Sequence, residues 1–222
     1  MKKRTNLMES ALFRGIDEAD LPGLLSCLEA AERVFRKGET VFYRGDRTER
    51  IGLLLSGTVH IVREDFWGNR SIVGIAGTGD IFAESYALTG EVMDVTVVAA
   101  SDCEILFFSG TRAVSGCTRV CGFHERLSRN LLGMLAKKNL LLTEKMRHMA
   151  RKTTREKLLS YLSAQALRAG SPEFDIPLDR QQLADFLGVE RSAMSAALGK
   201  LRDEGVLEVR KNHFHLLQRE ED

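Results

Sequence analysis

FHERLSRNLLGMLAKKNLLLTEKMRHM, residues 123–149, contains no proline and one glycine, Gly133. Leucine, methionine, alanine, lysine, glutamate and arginine fill most of it, and these side chains lose little freedom in a helix. The stretch from Phe123 to Met149 therefore predicts one helix of about 27 residues and about 40 Å. Steps of four and three from Ser128 visit Leu132, Leu135, Asn139, Leu142, Met146 and Met149. That is a 3.5-residue seam over about three heptads, suited to two helices packed side by side. A polar Asn139 on the seam is a device that fixes register and two-strandedness. Leu127, Leu131, Met134 and Leu141 form a second apolar row. A helix with two apolar faces needs two partners: the same helix from a second copy, and the chain's own N-terminal domain. The alternative is a core helix in a monomer. Arg126, Arg129, Lys137, Lys138, Glu144 and Lys145 on the outside favour the dimer.

Upstream, residues 6–31 read as short helical pieces, with Asp20 as a helix N-cap just ahead of Pro22. From Val34 to Phe108, short β-rich runs alternate with turn glycines. The runs are Val34-Phe35, Thr40–Tyr43, Ile51–Leu55, Thr58–Val62, Ser71–Ile75, Val95–Ala99 and Glu104–Phe108. Seven or eight strands with a turn about every ten residues predict an antiparallel barrel or jelly roll. Such folds often hold a small ligand between their sheets.

Downstream, Thr153 and Glu156 make a capping box that opens another helix. A short strand is expected around Phe174–Ile176. Gln181–Leu187 then predicts a short helix with small Ala184 facing inward, Gly188-Val189-Glu190 a turn, and Arg191–Glu204 a second helix. Met194, Leu198 and Leu201 of that helix face the core, while Arg191, Ser192, Ser195, Ala196 and Gly199 face out. Helix, glycine-containing turn and amphipathic helix make a helix-turn-helix, whose second helix enters the DNA major groove. Val206–Arg210, a turn at Lys211-Asn212, and His213–Leu217 form a β-hairpin, the wing of a winged helix. The expected division is 1–121 for the β-rich domain with its N-terminal helices, 122–150 for the long helix and 151–222 for the winged helix.

The totals narrow the classes. The chain has 222 residues, 44% hydrophobic and 28% charged, with three prolines, which describes an ordinary globular protein rather than a disordered one. Net charge is +1, so DNA contacts must come from a local arrangement of basic residues. Glu9 and Arg14 interrupt what would be the apolar core of an export signal, and no apolar run approaches a membrane span. Cys27, Cys103, Cys117 and Cys121 show no disulfide framework spacing and suit reduced thiols in a cytoplasm. The chain offers no nucleophile–base pair, Gly-rich phosphate loop or paired carboxylates in an enzyme-like setting.

Several stretches together resemble the Crp/Fnr family of bacterial transcription regulators. They are FRKGETVFYRGD (35–46), LSGTV (55–59), GDIFAE (79–84), DRQQLA (179–184) and GVERS (188–192). The resemblance covers nearly the whole chain. It implies an α+β architecture: a double-stranded, jelly-roll-like β-roll sensor domain, a long dimerisation helix and a C-terminal winged helix-turn-helix. It also implies a homodimer reading a palindromic operator, a small-molecule effector, and RNA polymerase as a partner. Of the family's base-reading positions, Arg191 matches an arginine, the next is Ser192, and a later arginine slot is Ala196. A bidentate arginine–guanine contact is then available from Arg191 alone. Ser192 and Ser195 discriminate little, and Ala196 could touch a thymine methyl. Part of the specificity is then expected from DNA shape. Arg180, Lys200, Arg202, Lys211 and Asn212 are candidate phosphate contacts.

In family members that bind cyclic nucleotides, a Gly-Glu pair takes the ribose and a later arginine takes the cyclic phosphate. Here Glu84, followed by Ser85, matches the glutamate, but Ala83 precedes it. The arginine slot falls on Met93, beside Asp94. No lysine or arginine occurs between Arg70 and Arg112, so a cyclic phosphate there would meet a carboxylate and no cation. Cyclic AMP is disfavoured, and Tyr86, Leu88, Val92 and Met93 suggest a more apolar effector. The oxygen-sensing branch of the family holds an iron–sulfur cube on clustered N-terminal cysteines. Only Cys27 lies in that region, so four thiolates are not available there.

Cys117, Cys121 and His124 remain, spaced i, i+4 and i+7. If the helix reaches that far back, they share a face. Three readings stay open: zinc with a fourth ligand from elsewhere, thiols that report oxidation, or small residues that simply pack. Haem on His124 or Met93 is a further possibility.

Overall fold

The chain is described from a computed structural model, which covers Leu7 and residues 10–68, 70–115 and 122–217. Two compact units divide it, Met1–Ala136 and Lys137–Asp222. The first opens with a 3-10 turn at Ala11–Phe13 and helix α1, Leu21–Cys27. The strands that follow are β1 (Ala31–Phe35), β2 (Thr40–Phe42), β3 (Arg50–Ser56), β4 (Thr58–Glu64), β5 (Arg70–Gly77) and β6 (Ile81–Phe82). Helix α2 (Glu84–Thr89), β7 (Thr96–Ala99), β8 (Cys103–Ser109), α3 (Gly110–Ser115) and the start of α4 (Gly122–Met149) complete it. The strands form two four-stranded antiparallel sheets, ordered β1-β8-β3-β6 and β2-β7-β4-β5. This is the expected β-roll. The two-residue β6 had no signal of its own in the sequence.

Strands β3 and β8 separate two cores, and their alternation explains how. Ile51, Leu53, Leu55, Leu106 and Phe108 turn toward the helical side, where Leu12, Phe13, Leu24, Leu28, Leu127 and Leu131 are buried with them. Leu54, Ile105 and Phe107 turn into the other core, with Phe82, Met93 and Val97. Gly52 is obligatory, because a Cβ there would sit 2.3 Å from the ring of Phe82. Aromatic rings pack against one another in this second core. Phe42 lies edge-to-face on Phe107 at 5.6 Å and on Phe82 at 6.2 Å, and Phe35 on Phe107 at 6.2 Å. Such contacts add about 0.5–1.5 kcal/mol each beyond area burial.

Asp20 departs from expectation. Its backbone is helical and its side chain makes no cap bond, so Pro22 in the first turn is what suits the start of α1. The long helix has the expected extent with one added residue. Leu127 and Leu131 are fully buried, and Phe123, Met134 and Leu135 pack beside them. Asn130 Nδ2 donates to the carbonyls of Leu12 and Arg14 at 2.9 Å each, which pins the helix to the 3-10 turn. Leu135, assigned to the seam, thus sits on the domain-facing row, while Leu141, assigned to that row, is exposed. A 3.6-residue helix drifts against a 3.5-residue reading, and the two rows exchange members along its length.

In the second unit, α5 (Thr154–Ala169) starts on the expected capping box, with both reciprocal bonds between Thr153 and Glu156. Strand β9 (Glu173–Asp175), α6 (Arg180–Leu187), α7 (Arg191–Asp203), β10 (Leu207–Arg210) and β11 (His213–Leu216) follow. The sheet order is β10-β11-β9. Leu158, Leu162, Leu183, Leu187, Met194, Leu201, Leu207 and Phe214 are completely buried in its core.

Candidate nucleic-acid interface

Helix α6 begins on a second capping box. Asp179 accepts from the Gln182 amide at 2.8 Å, and Gln182 accepts from the Asp179 amide at 2.9 Å. It ends at Gly188, whose φ of +59° is a left-handed conformation that side chains resist. Lys157 Nζ reaches the carbonyls of Leu187 and Gly188 at 3.4 and 3.5 Å, a cation at a helix C-terminus. At the far end of α7, Arg155 pairs with Glu204 at 2.5 Å. Ala184 is fully buried, as two closely crossing helices require.

These restraints fix which face of α7 is free. Met194, Leu198 and Leu201 are buried, whereas Arg191, Ser192, Ser195, Ala196 and Lys200 are exposed. Ala193 is exposed as well, although the sequence reading passed over it. Arg191 lies in the first helical turn, where a recognition helix places its base-reading side chains.

The flanking cations are less uniform than expected. Arg180 is half-buried, with its guanidinium 5.2 Å from the Phe214 ring centre, and burial lowers its pKa. It lines a notch of about 280 Å³ with Ser195, Leu198, Gly199, Arg202 and Val209. Arg202 bonds to Asp203 at 3.1 Å. Lys211 is exposed at the wing turn with φ +54°, and the exposed Asn212 ties that turn to Ile176, its carbonyl accepting from the Ile176 amide at 2.9 Å.

The wing also carries a clamp that the sequence did not reveal. His213 Nε2 lies 3.0 Å from Glu173 and Nδ1 3.1 Å from Asp175. A neutral imidazole has only one N–H, so two carboxylates require the doubly protonated ring. Both hydrogen bonds raise its pKa. The residues come from paired strands far apart in the chain, with Glu173 opposite His215 and Asp175 opposite His213.

In the sensor unit, Glu84 is buried at the first position of α2, following Ala83 at φ +61°, and Ser85 is exposed. Met93 is 1% exposed and packs in the β-roll core, while Asp94 points outward. The four candidate effector residues therefore do not share one environment. The expectation that no cation reaches this segment needs correction. Arg63, from β4, lies 3.5 Å from Asp94. Strand pairing brings it there, with Val62 opposite Thr96, and a contiguous sequence window cannot see that. Asp94 neutralises the added cation and also accepts from the Tyr86 hydroxyl. Burial, then Asp94, pushes the Tyr86 pKa up to about 12.

Cys117 and Cys121 lie outside the described residues. His124 is buried, and its described neighbour is a different thiol, Cys27, 3.7 Å from Nε2. Among the described residues no group of three or more His, Cys, Asp or Glu side chains could hold a metal ion. No helix among them is long and apolar enough to cross a membrane.

Two family models match. Residues 32–117 fit a cyclic nucleotide-binding domain, and residues 156–221 a Crp-like helix-turn-helix domain. The chain is 26% identical to the cyclic AMP receptor protein of Thermus thermophilus, over 89% of this chain and 88% of that one. It is also 26% identical to the nitrogen fixation regulation protein FixK of Azorhizobium caulinodans, over 94% and 85% respectively. Among solved structures, the c-di-GMP responsive global regulator CLP of Xanthomonas campestris aligns with a TM-score of 0.64. Identity to it is 20%, covering 91% of this chain and 100% of that one, and the likeness is one of fold.

Proposed function

The chain belongs to the Crp/Fnr family of transcription regulators, and on that premise we propose that it reads a palindromic DNA operator as an effector-responsive homodimer. The observation that carries this reading is the division of α7 into a buried apolar side and an exposed face of Arg191, Ser192, Ser195 and Ala196. A purely structural third helix has no need of that smooth outer face. Arg191 is assigned the guanine contact, Ala196 a thymine methyl, and Arg180, Lys200, Arg202, Lys211 and Asn212 the backbone. The working divisions are 1–121, 122–150 and 151–222, with RNA polymerase as the further partner.

The dimer reading rests on exposed apolar side chains. Leu132, Leu142 and Met146 are 62%, 61% and 70% exposed in the single chain, and Asn139 and Met149 are exposed beside them. Leu140 joins them at 70%, a position the heptad reading missed. Leaving such a row in water on a helix of this length is costly, and a second copy of the helix covers it.

Cyclic AMP is not the assigned effector. Asp94 already engages both Arg63 and Tyr86, so the segment offers a phosphate no uncompensated charge. Calorimetry with cyclic AMP should give no saturable heat. For DNA, fluorescence anisotropy with a duplex across a salt series tests the reading. Affinity should fall steeply as salt rises, because phosphate neutralisation releases counterions. A salt-independent or undetectable interaction would favour a winged helix that docks a protein.

A further inference from the structure

We propose that Cys27 is a peroxide-sensitive thiol whose proton is taken by His124. Cys27 is a half-buried residue at the end of α1. The imidazole lies in the first turns of α4, 97 positions further along the chain, with Nε2 3.7 Å from the sulfur. That separation is within the longer reach of hydrogen bonds to sulfur. His124 is 3% exposed, and its Nδ1 is the one buried side-chain nitrogen or oxygen among the described residues that lacks a partner.

A packing histidine normally satisfies both ring nitrogens. This one is withheld from water and turned on a thiol, the arrangement in which a nucleophile and a base work together. Arg112 completes the surroundings. Its Nη1 donates to the Cys27 carbonyl at 3.2 Å and its Nη2 pairs with Glu29 at 2.8 Å. The imidazole, 3.7 Å from the sulfur, is the group placed to take its proton.

The step balances with a hydroperoxide as oxidant. The Cys27 sulfur attacks one oxygen of hydrogen peroxide as its proton passes to His124 Nε2, and the O–O bond breaks. The departing hydroxide recovers the proton from Nε2 as water. Sulfur loses two electrons, peroxide gains them, and a sulfenic acid remains, the reversible first stage of cysteine oxidation. Cys103 provides an internal contrast: it is buried, and burial raises its pKa, with Asp102 and Glu39 adding to the effect. This inference stands apart from the DNA reading.

The test treats the full chain with hydrogen peroxide, traps sulfenic acid with dimedone, and follows the Cys27 peptide by mass spectrometry. Folded protein should react at Cys27 at least about tenfold faster than the same thiol in the urea-unfolded chain, an acceleration exposure alone does not give. His124→Gln, with a melting curve matching the parent, should lose that acceleration. A Cys27 rate no greater than the unfolded value overturns the proposal, and this comparison needs no variant. So does an unchanged rate in a folded His124→Gln protein, or a stoichiometric metal on the purified protein.

Discussion

The two units spend their side chains differently. In the winged helix, polar and small residues are collected on one exposed face of α7, and the core beneath is closed. In the β-roll, the residues expected to meet an effector are dispersed: Glu84 and Met93 are buried, Ser85 and Asp94 exposed, and phenylalanines fill the interior. The winged helix gathers its candidate residues on one exposed face, whereas the β-roll divides its own between core and surface. A family's backbone signature can therefore persist in both units while the residues at its candidate positions are arranged very differently.

The largest effect expected from that contrast is in the β-roll. Phe107→Ala should cost about 3–5 kcal/mol in denaturant unfolding, because it removes the ring against which Phe35, Phe42 and Phe82 pack. A loss below about 1 kcal/mol would mean the interior is loose enough to admit a ligand.

On the winged helix the order reverses. Arg191→Ala should leave unfolding within about 0.5 kcal/mol of the parent. It should weaken binding to the preferred duplex by about 1–3 kcal/mol, and relax preference at one base pair per half-site. Thr153→Ala is a stability change only, about 1 kcal/mol from loss of the cap at the start of α5. It should leave the base preferences of the DNA site untouched.

The smallest effects concern two histidines of the second unit. His213, between Glu173 and Asp175, binds its proton more tightly folded than unfolded. Its stabilisation is complete below the unfolded value near 6.5 and disappears as pH rises through the raised folded value. Burial lowers the pKa of His148, which lies 2.9 Å from Ser160 and edge-on to Tyr161. The sign is then opposite: stability is lost as pH falls from the unfolded value toward the lowered folded one. An NMR titration of ring protons should place His213 above and His148 below the ordinary imidazole value. His213→Gln should remove only the high-pH loss.

What the sequence disclosed follows from how local each signal is. The α7 face, the turn at Gly188 and the Thr153 cap depend on residues within a few positions of each other, and each was readable. Arg63 beside Asp94, His213 between two carboxylates and Cys27 against His124 are brought together by strand pairing or helix docking across long separations. No periodicity marks such pairs. The exchange of Leu135 and Leu141 between rows is intermediate: the pattern was visible, but its phase depends on how the helix seats on its neighbours.

Selection from a pool of random duplexes, followed by sequencing of the bound fraction, tests the central claim most directly. Two copies of α7 related by a two-fold axis should enrich an inverted repeat whose half-site centres lie about 10 bp apart or at multiples of that spacing. Enrichment of an isolated half-site, or of no sequence at all, would contradict it.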